Sequence, residues 1–174
     1  MKVIFLDIDG VMNSTNFYKR KRASSWEWAH MAGKYLSYAI DPAAVCLLNK
    51  IIEATGAVII LSGSWRNGRR IPELKDDFKR VGINIHDKCP CWSKYGVTDW
   101  VEEKDENNHT HITPIPRGEI VDAWLKDHPE VERYIIIDDI DEFTEEQHKY
   151  LILTNEEVGL TEENAQAAIN ILNS

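Results

Sequence analysis

Three short apolar runs in this chain stop abruptly at polar side chains, and that recurrence restricts the folds open to it. Residues 2–6 run into Asp7-Ile8-Asp9-Gly10, residues 57–61 into Ser62-Gly63, and residues 134–137 into Asp138-Asp139. Each run is rich in β-branched or other aliphatic residues and too short for a buried helix, so each reads as a buried strand. A fourth at 150–154 and a short one at 83–85 extend the set.

Helical patterns lie between the runs. Asp41 is placed as an N-cap, with Pro42 at the first helical position, Val45, Leu48 and Ile52 on one face and Gly56 at the end. Residues 72–81 close on Gly82, residues 118–127 gather Ile120, Val121, Trp124 and Leu125, and Thr161 caps a helix carrying Ala165, Ala168, Ile169 and Leu172. Strands alternating with helices imply parallel pairing under right-handed crossovers, hence an α/β, doubly wound parallel sheet. A length of 174 residues suits one domain over 1–174. Residues 12–40 and 86–116 break the alternation and are expected to be small lid or cap insertions.

Composition narrows the setting. No apolar run approaches the roughly 20 residues of a membrane span, so no membrane association and a cytoplasmic location are expected. Cys46, Cys89 and Cys91 are odd in number, and a Cys-Pro-Cys pair is too close for an ordinary disulfide, which predicts reduced thiols. The net charge of −9 argues against a general nucleic-acid coat protein. Charge is unevenly spread, however: residues 1–80 hold 13 Lys/Arg against 8 Asp/Glu, and residues 81–174 hold 7 against 21. The first half therefore retains cations for an anionic ligand.

An open parallel sheet places its ligand beyond the carboxyl ends of its strands. Asp7, Asp9, Ser62, Asp138 and Asp139 would meet there. Acids gathered so closely repel unless a cation sits among them, and oxygen-only ligands suit Mg²⁺. With a phosphate bound to that cation, Asp7 can attack phosphorus and Asp9 can serve as acid and then base. The transferred group also needs a donor and a cation beside it; Ser62 with the Gly63 backbone fits the first, and Arg117 the second. Asn13, Ser64 and Arg66 are further candidates to line the substrate pocket.

Blander readings exist for each feature. Asp-x-Asp-Gly also occurs in turns and calcium loops, and a response-regulator receiver gathers acids above a similar sheet. The receiver requires an acceptor Asp after the third strand and a late Lys, whereas position 62 is Ser. The run Lys19-Arg20-Lys21-Arg22 near Phe17, Tyr18, Trp26 and Trp28 pairs cations with aromatics as nucleic-acid grooves do, or forms a solvated helix over a buried aromatic face. His86, Cys89, Cys91, His109 and His111 lack the spacing of a standard zinc knuckle.

The segments Asp7-Ile-Asp9-Gly10-Val11, Ser62, Arg117 and Asp138-Asp139 resemble the four signatures of the haloacid dehalogenase superfamily, over about residues 2–160. The resemblance implies a Rossmann-like fold, and the presence of Asp9 resembles the phosphatase branch. It further implies Mg²⁺ held by the Asp7 carboxylate, the Asp9 backbone carbonyl and the pair Asp138 and Asp139. More narrowly, Leu61-Ser-Gly-Ser-Trp-Arg66, the segment from Arg117 to Leu125, and Gly159-Leu-Thr161 resemble the phosphatase domains of RNA repair proteins and the phosphatase half of polynucleotide kinase-phosphatases. That implies a phosphorylated substrate such as a nucleotide or an RNA or DNA end. A small-metabolite phosphatase and a binding module without turnover remain as alternatives.

Overall fold

The computed structural model describes residues 1–21, 36, 39–91 and 100–174. Strand β1 (Lys2–Leu6) is followed by helix α1 (Thr15–Arg20) and helix α2 (Pro42–Thr55). Strand β2 (Val58–Leu61) then leads through a 3₁₀ turn (Ser64–Arg66) to helix α3 (Ile71–Lys79) and strand β3 (Ile85–Lys88). A hairpin of β4 (Trp100–Lys104) and β5 (Thr110–Pro114) precedes helix α4 (Arg117–Lys126) and strand β6 (Arg133–Asp138). A second 3₁₀ turn (Gln147–Tyr150), strand β7 (Leu151–Leu153) and helix α5 (Glu162–Asn173) follow.

The expected caps account for where the helices begin and end. The Asp41 side chain accepts from the Ala43 N–H at 2.9 Å, and Thr161 with Asn164 forms a reciprocal capping box that starts α5. Five strands form one sheet in the order β3-β2-β1-β6-β7, every pairing parallel, with β4 and β5 forming a separate antiparallel pair. The register sets Leu6 beside Leu61 and Ile137, so β1, β2 and β6 end level with one another.

Alternation along β1 explains how both faces are covered. Ile4 and Leu6 join a core with Leu48 and Ile51 of α2, Leu74 and Phe78 of α3, and Ala165, Ala168 and Leu172 of α5. Val3 and Phe5 point to the other face, against Ile120, Val121 and Trp124 of α4. The Phe5 and Trp124 rings meet edge to face at 5.4 Å. The sheet is thus a Rossmann-like α/β layer with helices on both sides, as the alternating pattern predicts. Successive strands move from β1 outward to β3, then cross back to β6 on the other side of β1, which puts the topological switch point at β1.

Several boundaries differ from expectation. The short strand falls at Ile85–Lys88 rather than 83–85, because Ile83 is used as a core side chain just after the turn that ends α3. Residues 12–16 belong to the body of the fold: Thr15 and Asn16 N–H groups bond the Glu156 and Glu157 carbonyls, each at 3.0 Å. Part of the 86–116 stretch is β3 and part is the hairpin. No helix among the described residues is long and apolar enough to cross a membrane.

Candidate active site

The level ends of β1, β2 and β6 deliver their polar residues to one place. Asp7, one residue past β1, is 2% exposed, and Asp138, the last residue of β6, is 1% exposed. Ligand oxygens of Asp7, Asp138 and Asp139 lie within 4.8 Å of one another, the three-ligand cluster found among the described residues. None of the His and Cys residues of the second inserted stretch joins it. Two glycines make the crowding possible. A Cβ on Gly63 would fall 1.6 Å from Asp7 Oδ1, and one on Gly10, at φ +67°, would fall 2.2 Å from Asp139 Oδ2. Gly10 and Gly63 therefore leave the room that the Asp139 and Asp7 carboxylates occupy.

Arg117, the first residue of α4, reaches between the two buried acids. Its Nη1 donates to Asp7 Oδ2 at 2.5 Å and to both Asp138 oxygens at 2.8 Å. Burial pushes the Asp7 carboxyl above its ordinary pKa, against the opposing pull of Arg117. Burial, then repulsion from Asp7, lifts Asp138 to about 7. Asp139 is raised by burial and then by Asp7. For Arg117 burial acts downward, but Asp7 and Asp138 outweigh it and hold the guanidinium charged. One guanidinium thus bonds two of three carboxyls, and burial and mutual repulsion oppose ionisation of all three until more positive charge is present. Such an all-oxygen, charge-deficient cluster fits a hard divalent cation such as Mg²⁺.

Ser62 stands on the other flank. It is 9% exposed, and its buried hydroxyl has no hydrogen-bond partner among the described residues. A buried hydroxyl left without a partner is costly unless a ligand completes it. Asp9 is exposed above the cluster, its Oδ1 accepting from Asn13 Nδ2 at 2.9 Å and its Oδ2 from Trp65 Nε1 at 2.8 Å.

The remaining candidates separate. Asn13 is 2% exposed and accepts the Gly10 N–H through its Oδ1 at 3.0 Å, so it braces the loop and Asp9. Gly63 is buried against Asp7, and Ser64 is exposed at the start of the 3₁₀ turn. Arg66, the other arginine expected at the substrate pocket, is turned to backbone carbonyls. It is 1% exposed, with Nη1 donating to the Ser62 and Gly63 carbonyls, Nε shared between the Cys89 and Pro90 carbonyls, and Nη2 directed at Pro90. Its guanidinium is occupied in tying the loop after β2 to the end of β3.

The basic run is partly committed as well. Arg20 pairs with Asp41 at 2.9 Å, Lys21 lies 4.8 Å over the Phe17 ring, and Lys19 is exposed. Arg22, Trp26 and Trp28 lie outside the described residues. Trp65 is the residue that the reading of candidates passed over. Its signal was its position, between Ser64 and Arg66 and three residues after Ser62.

A family model described as "HAD domain in Swiss Army Knife RNA repair proteins" matches residues 3–165. No curated protein and no solved structure matches the chain.

Proposed function

Because the chain belongs to this family of HAD domains, and so to the haloacid dehalogenase superfamily, we propose that it is a Mg²⁺-dependent phosphomonoesterase acting on a nucleotide or nucleic-acid terminal phosphate. The observation that carries the reading is the convergence, at the ends of three adjacent strands, of buried carboxylates bridged by Arg117 and a serine hydroxyl with no partner among the described residues. Asp7, Asp138 and Asp139, with the Asp9 backbone carbonyl, would hold the ion, which when bound neutralises charge on the phosphoryl oxygens.

The chain's own groups then divide the work. Ser62 donates to a phosphoryl oxygen, and Arg117 offsets the charge that develops there. Asp7 forms a bond to phosphorus as the bond from phosphorus to the leaving oxygen breaks, and Asp9 gives that oxygen its proton, releasing the alcohol. In the second step Asp9 takes a proton from water. The water oxygen bonds to phosphorus, the Asp7–phosphorus bond breaks, and inorganic phosphate leaves with both acids restored.

A small-metabolite substrate is the second reading, favoured by the engagement of Arg20 with Asp41 and of Lys21 with Phe17, which leaves fewer free cations for a nucleic-acid backbone. The first test is phosphate release from an aryl phosphate with Mg²⁺ and with a chelator, beside Asp7→Asn. Turnover that needs both the ion and Asp7 is expected; an inert native chain, or an equally active variant, overturns the mechanism. Oligonucleotides with 3′- or 5′-phosphate, mononucleotides and sugar phosphates are then compared. Preference for sugar phosphates overturns the nucleic-acid assignment.

A further inference from the structure

Asp9 is held at both carboxylate oxygens, by Asn13 Nδ2 on Oδ1 at 2.9 Å and by the Trp65 indole on Oδ2 at 2.8 Å. The indole N–H is a donor only, so it can face that oxygen only along a lone pair. The Asn13 amide is oriented in turn, because its own oxygen is committed to the Gly10 N–H. Neither partner is free to follow a wandering Asp9. The Trp65 ring meets Phe78 edge-on at 6.2 Å and packs on the core. Behind it, Arg66 fastens the same turn to the carbonyls of Ser62, Gly63, Cys89 and Pro90.

Resting on the hydrolase reading above, we propose that Trp65 is a positioning residue for Asp9, fixing the carboxyl so that the proton carried at one of its remaining lone-pair positions points at the leaving oxygen. The turn that carries Ser62 to the phosphoryl group therefore also aims the proton donor. Proton transfer requires hydrogen-bond reach, and a displacement of about 1 Å costs orders of magnitude in rate. The need for a proton depends on the leaving group: a nitrophenolate departs unaided, whereas a ribose or other alkyl oxygen departs only as the alcohol.

Trp65→Phe keeps the ring and removes the donor. For a nucleoside monophosphate, kcat is expected to fall about tenfold to a hundredfold, with KM within about twofold of the native value. For nitrophenyl phosphate the burst of nitrophenolate, which reports attack by Asp7 alone, is expected to fall several-fold less. A structural role would lower both esters alike. Equal losses, a loss carried by KM, or no loss overturns the proposal.

The contact is also read without turnover, from the indole N–H resonances of the six tryptophans. The resonance that vanishes in Trp65→Phe is expected to shift and to exchange faster in Asp9→Ala. An unmoved resonance in a chain that does hydrolyse phosphate overturns the positioning role alone. A moved resonance in a chain inert toward both esters overturns the hydrolase reading, and the role with it.

Discussion

Arg66 and Arg117 lie on the segments that carry Ser62 and lead to Asp138, and they meet different acceptors. Arg66, on the turn after β2, is sealed within backbone carbonyls of its own turn and of the end of β3. Arg117, opening α4, keeps 23% of its side chain exposed and faces Asp7 and Asp138. Both arginines follow a polar strand end or precede the strand that carries one, and both suggest a phosphate contact in sequence. The difference is in what each can still give. A guanidinium saturated by neutral carbonyls fixes the backbone, whereas one balanced against ionisable acids remains a charge that a substrate phosphate can share.

The comparison breaks most readily through activity. Arg117→Ala is expected to lower kcat by about 10²- to 10³-fold, the usual cost of removing a group that stabilises transition-state charge. The parallel measurement on Arg66→Ala is expected to show its main effect in folding. Four carbonyls would lose a charged donor, lowering the unfolding free energy by roughly 2–4 kcal/mol in a urea titration. Large kcat loss with unchanged stability in Arg66→Ala would reverse the assignment of the two arginines.

A pH series sharpens the contrast without a substrate. In chelator, Asp138 in the folded chain has a pKa near 7 against an ordinary value of 3.8, so the folded state binds the extra proton between those values. Its contribution to stability is therefore fully present below about pH 4 and is lost as pH rises through about 7. The melting temperature of the metal-free protein should fall over that interval, and added Mg²⁺ should raise it more at pH 7.5 than at pH 5. The cost of Arg117→Ala should grow with pH over the same window. That of Arg66→Ala should stay flat, because carbonyls do not titrate. The smallest effect is expected at Arg20, whose pair with Asp41 is open to solvent on the arginine side. Arg20→Ala should change stability by under about 1 kcal/mol.

Much of this site is legible in the chain because polar residues that end apolar strands have few places to go. Asp7, Ser62 and Asp138 sit at neighbouring strand ends, as parallel pairing predicts, and Arg117 bonds two of them from the start of α4. Asp139 joins them because it follows directly. Less legible were residues whose role depends on a distant partner. Trp65 meets Asp9 across 56 residues, and the aromatic residue gave no periodic signal of that meeting. The β4–β5 hairpin was hidden for another reason: Glu102, Glu103 and Lys104 are charged residues with no apolar alternation, yet they lie on a strand paired with residues 110–112.

The sequence by itself determined the layer architecture and the carboxyl-end location of the acids, since short apolar runs, helix caps and strand-terminal polar residues act locally. Tertiary structure alone decided that Arg66 turns to backbone carbonyls, that Asn13 braces Asp9, and that Trp65 completes the pair of donors on it. Long polar side chains can reach several acceptors from one backbone position, and only the packed fold selects among them.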